Sequence, residues 1–344
     1  MPKYKKKALI TGIAGQDGSY LAELLVKKNY KVFGLVRSFK KDSLLNIEKL
    51  YKNKKIILIK GDLSNLKSIK KVIGIAKPDE IYNFAAQSDD VVSFKISKET
   101  YNVNFFGFGY LVDEAVKVNS KVKIFQAGSS KIFDKRKVFQ NEETLFNPTS
   151  PYGKAKFKAH NKYVIGYRGK YDLFICSGIF FNHISPRCRE SFVASIITKS
   201  MVKIKLGLLD NFELGNIDAK RDWGYAPEYM EAAWKMLQQK TPQDFVIATG
   251  ETHSVREFIE ESCKVLDIDI KWIGKDLDEK GIDRKTGKII IEINPKYFRP
   301  NEVNYLCGDS RKARKILNWK PKCNFRELVK IMVEADLEKE KNIN

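Results

Sequence analysis

Short runs of β-branched residues alternate with amphipathic stretches through about residue 180. Ala8–Thr11, Lys31–Val36, Ile56–Ile59, Glu80–Phe84, Val122–Ala127 and Leu173–Phe180 read as strands, and Tyr20–Lys28 and Lys67–Ala76 read as helices between them. Strand–helix alternation at this spacing predicts βαβ units and a parallel, doubly wound sheet. Beyond residue 180 the pattern is broken by Pro186, Pro227, Pro242, Pro295, Pro300 and Pro321, and helical stretches dominate at Glu228–Gln239, Val255–Leu266 and Phe325–Glu338. The expectation is an α/β chain of two domains. Residues 1–180 plus 220–246 would form the doubly wound domain, and 181–219 plus 247–344 a second, smaller α/β domain.

Composition narrows the class. The 344 residues are 43% hydrophobic and 31% charged, which excludes a disordered chain. No apolar run approaches the ~18 residues of a membrane span, so no membrane partner is expected. The opening Met-Pro-Lys-Tyr-Lys-Lys-Lys is basic but leads straight into a strand, without the apolar core of a signal peptide. Cys176, Cys188, Cys263, Cys307 and Cys323 contain no CxxC and there are three histidines, so the reading is reduced thiols in a cytoplasm and no metal cluster. Net charge is +21, but the lysines are scattered through every segment and form no stripe. No nucleic-acid partner is expected, and an anionic small substrate suits the charge equally well.

Two constellations carry chemistry. Gly12-Ile-Ala-Gly15-Gln16-Asp17-Gly18 follows the first strand and opens a helix, as a dinucleotide fingerprint does. Gly12 permits the tight turn, Gly15 lets backbone N–H groups approach a pyrophosphate, and Gly18 allows close helix–strand packing. This makes the first domain a Rossmann-type sheet. The second strand ends Val36-Arg37-Ser38, without the acid that reads an NAD ribose, and Asp62-Leu63 after the third strand is placed for the adenine. Further on, Ser150 and Pro151 start a helix on which Tyr152 and Lys156 are four apart on one face. A lysine ammonium beside a phenol favours phenolate, which fits Tyr152 as a general base. With Ser129 at the end of the fifth strand the three form a Ser-Tyr-Lys arrangement.

These residues resemble the extended short-chain dehydrogenase/reductase family and, within it, the GDP-mannose 4,6-dehydratase group. The resemblance runs almost end to end, through Ala8–Glu23, Asn83–Ser88, Phe181–Arg187, Leu214–Gly224, Phe245–Glu251 and Phe298–Val303. It implies that Ala85, Ala86 and Gln87 line the nicotinamide side, that Asn182, Arg221, Arg299 and Glu302 hold a GDP moiety, and that Ser88 touches the substrate. Arginines clamp a diphosphate, and a carboxylate accepts from the guanine edge. A homodimer or homotetramer is implied as well.

One departure shapes the expected reaction. The family's dehydratases oxidise C4, remove the C5 proton with a Glu, lose water from C6 and return the hydride there. Where that Glu stands, this chain has Lys131. A lysine is mostly an ammonium at neutral pH. The expectation is therefore that elimination is lost and C4 oxidation kept, giving a GDP-4-keto sugar for capsular or surface polysaccharide. GDP-D-glycero-D-manno-heptose is the favoured substrate by resemblance. NAD is favoured over NADP because one clamp residue of the family's Arg-Arg pair is Ser38, and a 2-oxo acid would reoxidise the cofactor. The competing readings are a GDP-mannose-type 4,6-dehydratase, a GDP-sugar C4 epimerase and an inactive binding subunit.

Overall fold

The computed structural model describes residues 4–133, 139–298 and 305–342. These fall into two compact units, the first of 1–181, 226–247 and 308–320, and the second of 182–225, 248–307 and 321–344.

The first unit is built on seven strands. They are β1 (Lys7–Thr11), β2 (Lys31–Val36), β3 (Ile56–Lys60), β4 (Glu80–Asn83), β5 (Lys123–Ala127), β6 (Ile175–Phe180) and β7 (Phe245–Ile247). They lie in the order β7-β6-β5-β4-β1-β2-β3, and every neighbouring pair is parallel. Successive residues feed opposite cores. Ala8, Ile10, Val32, Tyr82 and Phe125 pack on one side, and Leu9, Phe33, Ile81 and Ile124 on the other. Helices α1 (Gln16–Lys27) and α5 (Ala226–Leu237) cover the first face, and α2 (Leu66–Ala76) and α3 (Phe108–Val118) cover the second. A sheet buried on both sides needs apolar residues at consecutive positions, which is why these strands stand out in the sequence.

This is the Rossmann-type doubly wound sheet expected. The expected return at 220 falls at 226, and it brings a seventh strand that is three residues long. Residues 308–320 also join this unit, because Ala313, Leu317 and Trp319 are buried in its core and Trp319 Nε1 donates to Glu228 O at 2.8 Å. On β7, the Val246 N–H donates to Glu142 Oε1 at 2.7 Å, and all three residues of the strand are fully buried.

The second unit holds more strand than its sequence suggested. Ile270–Ile273, Lys280–Asp283, Ile289–Ile293 and Phe212–Leu214 form a four-stranded sheet in that order. Helices Val193–Lys205, Val255–Val265 and Phe325–Lys341 supply Ile197, Met201, Phe258, Ile259, Leu328 and Met332 to its core. Two of them start in capping boxes, Ser254 with Glu257 and Asn324 with Glu327. Among the described residues no helix is long and apolar enough to cross a membrane.

Candidate active site

The carboxyl ends of β1, β4 and β5 are locked together by buried polar side chains. Thr11 Oγ1 donates to Asn83 Oδ1 and Asn83 Nδ2 donates to Gln126 Oε1 at 2.7 Å, while Thr11 Oγ1 also accepts from Ala85 N at 3.1 Å. This ladder fixes the three loops that follow those strands, where ligands of open α/β sheets bind. Sequence reading did not single it out. The polar residues closing otherwise apolar strands were its signal.

After β1 the chain turns at Gly12, whose φ of +69° favours glycine. A Cβ there would stand 2.8 Å from Ala85 N, and one at Gly18 would stand 2.3 Å from Gly12 O. Gly15 is the N-cap of α1, with its N–H on Gly12 O at 3.0 Å, and Gln16 and Asp17 form the first helical turn. The result is a glycine-lined turn at a helix N-terminus, a geometry that binds phosphate oxygens. Arg37 is exposed just past β2. Asp62 accepts from Ser64 N at 2.8 Å and Ser64 Oγ at 2.7 Å, so it organises its own turn, and the Leu63 side chain is buried in the core. Ala85, Ala86, Gln87 and Ser88 follow β4 in a half-buried loop. There Gln87 N donates to Asn104 Oδ1, and Gln87 Oε1 is buried without a hydrogen-bond partner among the described residues. The cradle and the orphaned Gln87 oxygen both fit a dinucleotide.

Helix α4 (Pro151–Ala159) begins as expected, with Ser150 Oγ accepting from Gly153 N at 3.1 Å and Pro151 in its first turn. Tyr152 and Lys156 are both buried on it, and Lys156 Nζ stands 5.9 Å from the centre of the Tyr152 ring. Lys156 Nζ donates to Ala127 O at 2.9 Å, at the end of β5. Burial lowers the Lys156 ammonium to about 8, against the raising field of Asp17. Ser129 caps the short turn Ser130–Ile132, accepting from Lys131 N at 3.3 Å. Residues 129, 152 and 156 thus converge on the end of β5.

The loop after β4 adds a group that sequence reading passed over. Asp90 Oδ2 lies 3.9 Å from Lys131 Nζ, and Asp90 Oδ1 accepts a hydrogen bond from Ser150 Oγ. Ser93 Oγ donates to Asp90 O at 2.6 Å and accepts from Tyr152 N at 3.2 Å. The signal was the adjacent pair Asp89-Asp90 directly after Gln87-Ser88.

Of the residues expected to hold GDP, two are described in the second unit. Asn182 opens strand Asn182–Ile184, which pairs with Trp223–Tyr225. Arg221 lies on Lys220–Arg221, and its Nη1 donates to Lys220 O at 2.8 Å. The neighbouring Asp222 is fully buried and accepts from Thr249 N, Thr249 Oγ1 and Gly250 N at 2.7–3.0 Å. Arg299 and Glu302 lie outside the described residues.

The fold is shared with solved nucleotide-sugar enzymes. The UDP-glucose 4-epimerase of Thermotoga maritima superposes with a TM-score of 0.81 at 21% identity, covering 98% of this chain and 99% of that one. The dTDP-glucose 4,6-dehydratase of Bacillus anthracis superposes with a TM-score of 0.78 at 20% identity, covering 97% of each. Relatives by sequence are much nearer. The GDP-mannose 4,6 dehydratase of Drosophila melanogaster is 48% identical over 97% of this chain and 86% of its own length. The human enzyme of that name is 48% identical over 98% and 93%, and the Dictyostelium discoideum enzyme 45% over 99% of each. These matches overturn the expectation of a GDP-heptose 4-dehydrogenase. That expectation let residue 131 decide the reaction, yet a proton base is defined by where its oxygen stands, and a carboxylate does stand beside Lys131. The model of the family described as GDP-mannose 4,6 dehydratase matches residues 9–332, and the chain belongs to that family.

Proposed function

We propose that this protein is a GDP-mannose 4,6-dehydratase, converting GDP-mannose to GDP-4-keto-6-deoxymannose with release of water. The observation that carries the reading is the match, at 45–48% identity and almost end to end, to enzymes of that name. The geometry supports its chemistry. Tyr152 takes the C4 hydroxyl proton, the buried Lys156 ammonium beside it favours the phenolate, and Ser129 orients the same hydroxyl. The Gly12–Gly18 cradle, Asp62 and the Ala85–Gln87 loop hold a nicotinamide dinucleotide, which supplies the hydride acceptor for C4 and the hydride donor for C6. Asn182, Arg221, Arg299 and Glu302 hold the GDP moiety. The hydride is returned within one catalytic cycle, so a 2-oxo acid has no part in this reaction. Arg37 without a second arginine beside it favours NAD over NADP, and titration of the enzyme with each checks that choice.

The test is the product. Enzyme, GDP-mannose and either dinucleotide should give a nucleotide sugar lighter by one water molecule, seen by mass spectrometry. A product lighter by two hydrogens, or of unchanged mass, overturns the reading.

A further inference from the structure

Dehydration asks for more than Ser129, Tyr152 and Lys156 provide. Once C4 is a ketone the C5 hydrogen is acidic, but a base must still take it, and the C6 oxygen must leave with a proton. Tyr152 is already committed to the C4 hydroxyl. Among the described residues three carboxylates lie on the segments that lead to these groups, one in the first turn of α1 and two in the loop after β4. Asp17 lies in the first turn of α1 at the glycine cradle, and its field acts on Lys156. Asp89 is occupied by its own turn, where Oδ1 accepts from Val91 N at 2.9 Å and Val92 N at 3.0 Å. Asp90 is different. Its backbone carbonyl and one carboxylate oxygen are tied, through Ser93 and Ser150, to the residues that start the helix of Tyr152. Its other oxygen faces the Lys131 ammonium. The side chains of Asp90 and Lys131 are 31% and 29% exposed, so the pair is open to a substrate.

Building on the dehydratase reading, we propose that Asp90 removes the C5 proton of the 4-keto sugar and that Lys131 protonates the departing C6 oxygen. The C5–H bond breaks and its electron pair becomes the second bond between C5 and C6. The C6–O bond breaks, and the oxygen takes a proton from Lys131 and leaves as water. When C6 accepts the hydride given up by C4, Asp90 returns its proton to C5. Lys131 regains its proton through solvent, balancing the one that left the C4 hydroxyl through Tyr152. The pair divides between two side chains, from two loops, the acid and base work of an elimination.

The experiment isolates the C5 step. Holoenzyme is incubated in heavy water with GDP-4-keto-6-deoxymannose, and deuterium entering C5 is followed by NMR. Asp90→Asn keeps an acceptor for Ser150 but cannot take a proton, and it should slow exchange ~10²–10⁴-fold. In a single turnover from GDP-mannose the same variant should still oxidise C4, read as absorbance of the reduced nicotinamide, and should release no water. Lys131→Met should retain C5 exchange and slow water release, which reads the pair independently of the Ser150 contact. Asp90→Asn exchanging C5 at the wild-type rate overturns the proposal. Equal loss of C4 oxidation and C5 exchange also overturns it, because Asp90 would then only position α4. Unchanged water release by Lys131→Met removes its role as the acid. A wild-type enzyme that releases no water from GDP-mannose overturns the dehydratase reading and the proposal with it, whereas undiminished release by Asp90→Asn overturns the proposal alone.

Discussion

Lys156 shows how a single residue couples chemistry to stability. Its ammonium is released near 8 in the folded chain and near 10.5 in the unfolded one, a difference that costs about 3 kcal/mol of folding free energy at neutral pH. The unfolded chain binds the extra proton between those values, so raising the pH through that window favours the folded state through this group. Lys156→Met removes the buried charge and should raise Tm relative to the wild type at pH 7, with the advantage shrinking by pH 9.5, measured on the cofactor-free protein. Tyr152→Phe should lower kcat ~10²–10⁴-fold with GDP-sugar affinity barely changed, checked by steady-state kinetics and calorimetry. Both residues were legible in the sequence because helical spacing places positions four apart on one face. Asp90 was not, because its partner Lys131 is on another loop and only the sheet brings the two together. Reading residue 131 alone therefore led to the wrong reaction.

At the scale of elements, legibility followed length and burial. The six strands of the first unit longer than three residues were found within a residue or two, and so was the helix Leu66–Ala76, whereas Gln16–Lys27 starts four residues before its expected Tyr20. The three-residue β7 and the polar Lys280–Asp283 are too short, or too mixed in polarity, to show a period, whereas Ile289–Ile293, four isoleucines in five residues, carried the signal and was passed over. The ladder Thr11–Asn83–Gln126 was equally invisible, because cross-strand neighbours depend on register. It ties β1, β4 and β5 where the loops of the candidate site begin. Asn83→Ala leaves Thr11 and Gln126 without their partner in a buried site, and it should cost about 1–3 kcal/mol for each unsatisfied group. Denaturant melts check the stability. A kcat that falls more than KM rises would show that the loops after these strands had lost their alignment.

For the molecule as a whole, the doubly wound sheet was readable from alternation, whereas the proposed reaction rests on likeness along the whole chain. Adding up local motifs made one position outweigh the rest. The structure also bears on how copies of this chain can meet. A parallel sheet ends in two edges, and an open edge is a template onto which another chain can add a strand. At β7 that template is blanked out. The Val246 N–H is already taken by Glu142, and the strand is covered on every side. At the opposite end, β3 leaves Ile57 and Lys60 in solvent. Sheet continuation from one copy into another is therefore closed at β7, so any assembly on that side would rest on side-chain packing between finished surfaces, and runaway strand addition has one edge fewer from which to begin.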